Sequence, residues 1–321
     1  TIIVIFTGGT ISMERNQNTN KNQIIDNQNE LIATISNEIK NVNLETQLFS
    51  LKPSPSIAPS DMFELAKLTN TLLEEPHIDG VVITHGTDTL EETAYFLDLY
   101  LASSKPVVFT GSMRSFSELG FDGLSNLVSS ILVAAHHESR DKGVLVCLND
   151  EVNTASEVTK SHTLSLDTFK SLEFGPIGIV EQENVIYTRK APDFRKIIKP
   201  EHINNSVEII KVAAGTSSLL LNFLVEQGVS GIIIEALGRG NVPPQMVSGI
   251  KNAIEHNVPV VLTSRCPKGR VLDNYGYDGG GHHLRSLGVI FTHNLNAQKA
   301  RIRLILALGI TTHLDEIATF F

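Results

Sequence analysis

Three times in the first 114 residues an apolar, strand-like run breaks at a glycine-bearing turn, and this repeated break constrains the fold more than any other feature. Residues 1–6 run into Thr7-Gly8-Gly9-Thr10-Ile11-Ser12, residues 81–83 into His85-Gly86-Thr87-Asp88, and residues 106–110 into Gly111-Ser112-Met113-Arg114. Helical patterns follow. Leu90, Ala94, Leu97 and Leu101 share one face, and a helix over 123–137 leads into a fourth strand over 143–148. Fully apolar strands alternating with helices predict a parallel sheet covered on both faces. Its turns then gather along the carboxyl edge, where open α/β sheets place ligands and helix N-termini favour anions.

The segment 81–93, VVITHGTDTLEET, is the sharpest of these breaks. Thr89 and Glu92 have the spacing of a capping box, and Thr87 and Asp88 set a hydroxyl beside a carboxylate at the strand end. Two readings stand: Thr87, Asp88 and Thr89 only cap a helix, or they do chemistry. Thr10 is held in the same way by paired glycines, which allow close approach of a ligand or another backbone. A phosphate loop or plain turn is the alternative there, although neither the Walker spacing nor G-x-G-x-x-G is present.

Residues 13–30 are rich in Asn and Gln and predict a mobile loop, either a lid or a tolerated insertion. A helix over 30–39 and a strand over 47–51 follow, then a loop stiffened by Pro53, Pro55 and Pro59. Ser60 is expected as the N-cap of a helix whose face carries Met62, Leu65, Leu68 and Leu72, a place where a ligand carboxylate can also sit.

At 321 residues and 41% hydrophobic the chain has material for two domains. Residues 181–206 carry charge and proline with little apolar periodicity, so the expected division is 1–185, a linker at 186–206, and 207–321. The second domain repeats the alternation, with strands over 207–212, 231–235 and 259–263, helices over 218–227, 243–256 and 297–308, and a short helix at the end. The net charge of −9 with no basic stripe argues against nucleic acid and for a small polar partner. Cys147 and Cys266 follow apolar runs and read as buried thiols or as a bridge. No run approaches a membrane span, and with a strand at the start of the sequence no leader and a cytoplasmic location are expected. The histidine pairs 136–137 and 282–283 lack the i, i+4 spacing of a zinc helix, and no G-x-S-x-G elbow occurs.

Thr10 and the Thr87-Asp88 pair are thus expected on one edge, and Lys160, in the polar run 149–161, is either a solvated charge or a third member. A threonine hydroxyl becomes a nucleophile when a base takes its proton, and a lysine held by a carboxylate can serve in such a relay. A hydroxyl, a base and backbone donors together fit acyl transfer, here amide hydrolysis.

TGGTI at 7–11, HGTDT at 85–89, TGSMR at 110–114, EVTKSHT at 157–163 and LNAQKAR at 295–301 resemble the bacterial-type L-asparaginase family over nearly the whole chain. The resemblance implies an α/β fold: a larger N-terminal flavodoxin-like parallel-sheet domain with a second, smaller α/β domain. It further implies threonine-dependent hydrolysis of L-asparagine to L-aspartate and ammonia, with no cofactor and no metal, in a homodimer or homotetramer. By position Thr10 resembles the first nucleophile, and Thr87, Lys160 and Asp88 the second triad, with Asp88 also holding the α-amino group. Ser60 stands for the α-carboxylate contact, Ser112 or its backbone for the side-chain amide, and Asn241 of GRGN for the residue supplied by a neighbouring subunit. The chain departs from secreted members by lacking a tyrosine in 13–30, leaving Tyr275 or Tyr277 as substitutes or packing residues. Pro59 replaces a serine, and Gly279 to Gly281 stand where a glutamate is expected. Hydrolysis of glutamine or another amide, and a catalytically silent amino-acid-binding protein, are the alternatives.

Overall fold

A computed structural model describes residues 1–15, 19, 21–36, 38–39, 42–192 and 195–321. The chain divides into two compact units, Thr1–Ile197 and Ile198–Phe321.

The first unit runs β1 (Ile2–Gly8), β2 (Met13–Arg15), β3 (Asn22–Ile24), α1 (Gln28–Ile35), β4 (Leu44–Lys52), α2 (Pro59–Glu74), β5 (Gly80–Thr84), α3 (Leu90–Tyr100), β6 (Val107–Thr110) and α4 (Gly123–Ala135). It continues with β7 (Val144–Leu148), β8 (Glu151–Thr154), β9 (Val158–Lys160), β10 (Phe169–Ser171), β11 (Gly178–Glu181) and β12 (Asn184–Tyr187). Eight strands form one sheet in the order β12-β11-β8-β7-β6-β5-β1-β4. From β4 to β7 the pairing is parallel, in the 2-1-3-4-5 order of flavodoxin-like sheets. β1, β5 and β7 are buried along their whole length, which is why they read as unbroken apolar runs. Phe6, Val82, Leu127, Ile131 and Leu145 belong to one core under α4. Phe6 pairs with Thr84 and Ile83 with Phe109, so the turns after β1, β5 and β6 emerge side by side.

The sheet then reverses direction. Asn149 and Asp150 both adopt positive φ, 52° and 60°, forming a two-residue hairpin turn that matches strand twist and returns β8 antiparallel to β7. Asn126 Oδ1 accepts the Asn149 N–H at 2.9 Å and Ser129 Oγ donates to Asp150 at 2.8 Å, which secures the turn. The polar run after β7 therefore holds two strands, β8 and β9, joined by turns. The hairpin β11–β12 reaches Tyr187, inside the stretch whose composition reads as a connector. Part of the polar segment 13–30 is also ordered: β2 pairs with β3 and α1 begins at Gln28. Residues 16–18 and 20 of that expected loop lie outside the described residues.

The second unit holds β13 (Val207–Lys211), α5 (Leu219–Glu226), β14 (Gly231–Ala236), α6 (Val247–Glu255), β15 (Val260–Ser264), α7 (Gly281–Ser286), β16 (Ile290–Phe291), α8 (Ala297–Leu308) and α9 (Leu314–Ala318). Its four strands are parallel in chain order. Asn296 caps α8 by accepting the Lys299 N–H at 3.1 Å. Both cysteines are free. Cys147 is buried in β7, whereas Cys266 is exposed, because β15 ends at Ser264 and leaves it on the loop beyond. Among the described residues no helix is long and apolar enough to cross a membrane.

Candidate active site

The site grows from the turn between β5 and α3. The His85 N–H donates to the Thr110 carbonyl at 2.8 Å, which continues the β5–β6 ladder into the turn. The His85 ring is fully buried, and burial pushes it down to about 4 against the opposing effect of its bond to the Gly86 carbonyl. A carbonyl only accepts, so Nδ1, 2.8 Å from the Gly86 oxygen, carries the proton and Nε2 accepts from Thr93 Oγ1 at 2.9 Å. His85 is therefore a neutral brace for the turn.

Ser54, from the proline-rich loop, locks the same turn from the other side. Its Oγ accepts the Asp88 N–H at 3.2 Å, and its carbonyl accepts Thr89 Oγ1 at 2.9 Å. The Thr89 hydroxyl is thereby drawn away from α3, and the Thr89 half of the expected capping box is not made. The two glycine turns meet backbone to backbone. A Cβ on Gly9 would fall 2.3 Å from the Gly86 nitrogen, and one on Gly86 would fall 2.7 Å from Ser54 Oγ. Gly9 takes φ 86° and ψ −174°, a region open to glycine alone. Thr10 follows it as the first residue of a short 3-10 turn, half-buried, with Ile11 held by Asn27 Nδ2 at 3.2 Å.

Lys160 comes to this turn from β9. Its Nζ donates to Thr87 Oγ1 at 2.8 Å and to Asp88 Oδ1 at 2.7 Å. Thr87 is buried and the lysine side chain only 15% exposed, whereas Asp88 is 62% exposed. The three groups thus have a sheltered side and an open side, as a site admitting a small ligand needs.

The turn after β6 closes in as well. A Cβ on Gly111 would stand 2.4 Å from the His85 carbonyl oxygen and 3.6 Å from Thr87 Cγ2. Ser112 is buried and its hydroxyl donates to the Arg114 carbonyl at 2.8 Å. Asp122 precedes α4 as its N-cap, yet its carboxylate accepts the Met113 and Arg114 N–H groups, each at 3.0 Å. Asn126 ties Gly111 to the same carboxylate through bonds of 2.9 and 3.0 Å.

The remaining candidates belong to other elements. Ser60 is exposed in the first turn of α2 and is not the cap: Pro59 occupies the first helical position, Ala58 is the N-cap, and its N–H donates to Asp61 at 2.9 Å. Asn241 lies in the second unit, where it exchanges backbone bonds with Leu237, and its buried side-chain oxygen has no hydrogen-bond partner. Tyr275 and Tyr277 are exposed there with ring centres 5.6 Å apart. Among the described residues no three His, Cys, Asp or Glu side chains are grouped to hold a metal. Sequence reasoning missed Ser54, Asp122 and Asn126. For Asp122 a signal existed, a cap-type residue before α4 and nine residues past Met113, but nothing in its spacing points back to the preceding turn.

Residues 1–193 match the family model described as Asparaginase, N-terminal, and residues 206–321 match the Glutaminase/Asparaginase C-terminal domain. The chain belongs to the asparaginase family. It is 31% identical to an L-asparaginase of Bacillus licheniformis over 96% of this chain and 95% of that protein. It is 33% identical to L-asparaginase 2 of Escherichia coli over the whole chain and 92% of that protein, and 31% identical to a glutaminase-asparaginase of Acinetobacter glutaminasificans over the whole chain and 98% of that protein. The crystal structure of a probable cytoplasmic L-asparaginase from Campylobacter jejuni superposes with a TM-score of 0.88 at 30% identity, covering 99% of this chain and 98% of that one. For this asparaginase-family fold, the carboxyl edge of the larger sheet is where a hydroxyl, an amine and a carboxylate meet.

Proposed function

We propose that this chain hydrolyses L-asparagine to L-aspartate and ammonia, with Thr10, Thr87, Asp88 and Lys160 as the reacting set. The observation that carries the reading is the Lys160 amine bonded at once to the Thr87 hydroxyl and the Asp88 carboxylate. In the proposed sequence the Thr10 oxygen attacks the amide carbon, and backbone donors at the glycine turns take the developing oxyanion. The C–N bond breaks, ammonia leaves with the proton lost by the hydroxyl, and an acyl ester remains. Water, activated through Thr87 and Lys160, cleaves that ester and returns the hydroxyl. Asp88, open to solvent, would take the substrate's α-amino group. Ser60 and the Ser112 turn are proposed to hold the carboxylate and the side-chain amide. Every step so written uses side chains, backbone donors and water.

Ammonia release from L-asparagine and L-glutamine by the wild type, Thr10→Ala and Thr87→Ala tests this. Each variant should lose more than about a thousandfold in turnover, as expected for a nucleophile or relay member. A folded wild type that releases no ammonia from L-asparagine would end the proposal. The match to a glutaminase-asparaginase makes glutamine the second substrate to compare. We also propose a homodimer or homotetramer in which Asn241 completes a neighbouring subunit's cleft. A cytoplasmic location is proposed on the likeness to the Campylobacter protein, and cell fractionation tests it.

A further inference from the structure

We infer that Thr159 and Glu91 form a strut that positions Lys160, an inference that rests on the proposed reading of the site. β9 is a three-residue strand outside the eight-stranded sheet, paired among the described residues with β10 alone, Phe169 opposite Lys160. A two-stranded ribbon is marginal by itself, so the place of β9 is set by what its side chains grip. On the β10 side the ribbon is moored to β8. Ser171 Oγ donates to Asn153 at 2.7 Å, and Lys170 Nζ to Glu151 at 2.8 Å. Those bonds lie a strand away from the amine. Toward α3, the Thr159 hydroxyl donates to Glu91 Oε1 at 3.0 Å.

The position of that bond gives it its consequence. Thr159 is the residue before Lys160, and Glu91 stands in the first turn of α3, three residues after Asp88. One bond therefore joins the backbone that carries the amine to the backbone that carries the hydroxyl and carboxylate. Glu91 is buried, and a carboxylate held out of water makes a charge-assisted bond stronger than one between neutral groups. A lysine needs such help, because its ammonium is a point charge on a flexible four-carbon stem that can find a carboxylate from many backbone positions. Asp88 alone would keep Nζ nearby, but a distance of 2.8 Å to the Thr87 hydroxyl requires the strand itself to be fixed. Thr159 and Glu91 are positioning residues here, and neither is assigned a contact with substrate.

The test compares Thr159→Val, which removes the hydroxyl at nearly constant volume, with Thr159→Ser, which keeps it. Thr159→Val should lose about 10- to 100-fold in kcat with KM for L-asparagine within about threefold, the pattern of a misplaced reacting group rather than a damaged binding pocket. Thr159→Ser should stay within about threefold of the wild type in both constants. Should valine against the carboxylate prevent folding, Thr159→Ala removes the donor without crowding Glu91 and is read in the same way. An unchanged kcat in the hydroxyl-free variant, or equal losses in Thr159→Val and Thr159→Ser, would overturn the strut. If the wild type shows no turnover, the site reading fails separately, and a crystal structure of the hydroxyl-free variant decides the strut. Separation of Lys160 Nζ from Thr87 Oγ1 beyond about 3.5 Å supports it, and an unchanged 2.8 Å refutes it.

Discussion

Acidification should weaken this fold through His85 in particular. In the folded chain the ring is buried, donates from Nδ1 to the Gly86 carbonyl and accepts at Nε2, and its pKa lies at about 4 rather than 6.5. Above about pH 6.5 both folded and unfolded chains carry a neutral ring, and the contribution of His85 to stability is complete. Between that value and about 4 the unfolded chain binds a proton that the folded chain refuses, so stability falls as pH falls. The whole interval corresponds to about 3 kcal/mol, of which about 2 is lost by pH 5. Urea unfolding at pH 7 and pH 5 measures the loss, and His85→Asn, whose amide can keep a donor toward the Gly86 carbonyl, separates it from the titration of surface groups. The wild type should lose about 2 kcal/mol more than the variant over that span. Equal losses in the two proteins would show that the ring does not hold off its proton, and the tautomer assigned to the turn would fall with it.

Two other outcomes follow from the same geometry. Gly9→Ala forces a Cβ to within 2.3 Å of the Gly86 backbone at a φ,ψ pair only glycine occupies. A loss of at least about 1–3 kcal/mol from backbone strain alone is expected in chemical denaturation, together with a marked fall in ammonia release; a variant with the wild-type midpoint and turnover would contradict it. If Asn241 completes a neighbour's cleft, unfolding and refolding an equimolar mixture of inactive Thr87→Ala and Asn241→Ala chains should restore activity to about a quarter of the sites, since half of randomly formed dimers are mixed and each carries one intact site. Activity assays before and after mixing decide this, and no recovery speaks against a shared site.

The alternation of strand and helix was legible because each parallel strand is buried on both faces and so appears as an uninterrupted apolar run, as in β1, β5 and β7. The antiparallel strands were not. In β11 burial alternates, with Ile179 and Glu181 exposed, and the stretch that begins at its last residue carries enough charge to resemble a connector. The hairpin at Asn149-Asp150 lacked the glycine that usually marks such a turn, and its positive φ angles depend on bonds from α4, about twenty residues earlier in sequence. Ser60 was misplaced because a serine before a helical pattern is the usual cap, whereas Pro59 had already started the helix. Thr89 has a cap's spacing, but Ser54, 35 positions away, takes its hydroxyl. Lys160 was tied to Thr87 by motif resemblance. No periodicity relates residues 73 positions apart.

These failures share a cause that bears on how the site is built. A parallel sheet delivers turns to one edge, and the turns after β1, β5 and β6 bring backbone donors, two threonines and a carboxylate there. It does not readily deliver a long basic side chain to the same point, because β4, β5 and β6 each leave that edge through a helix that carries the chain away. The reversal at Asn149-Asp150 solves this by sending β8 back along β7 and leaving β9 free of the main sheet, held against α3. The amine therefore belongs to a part of the unit placed by a few buried side chains, Val158 and Phe169 among them, together with individual polar bonds: Asn126 to Asn149, Ser171 to Asn153, Thr159 to Glu91. Substitutions there should alter turnover more than stability, while substitutions in β1 or β5 should do the reverse, since a buried Ile truncated to Ala removes about 2–5 kcal/mol of packing before it moves any reacting group.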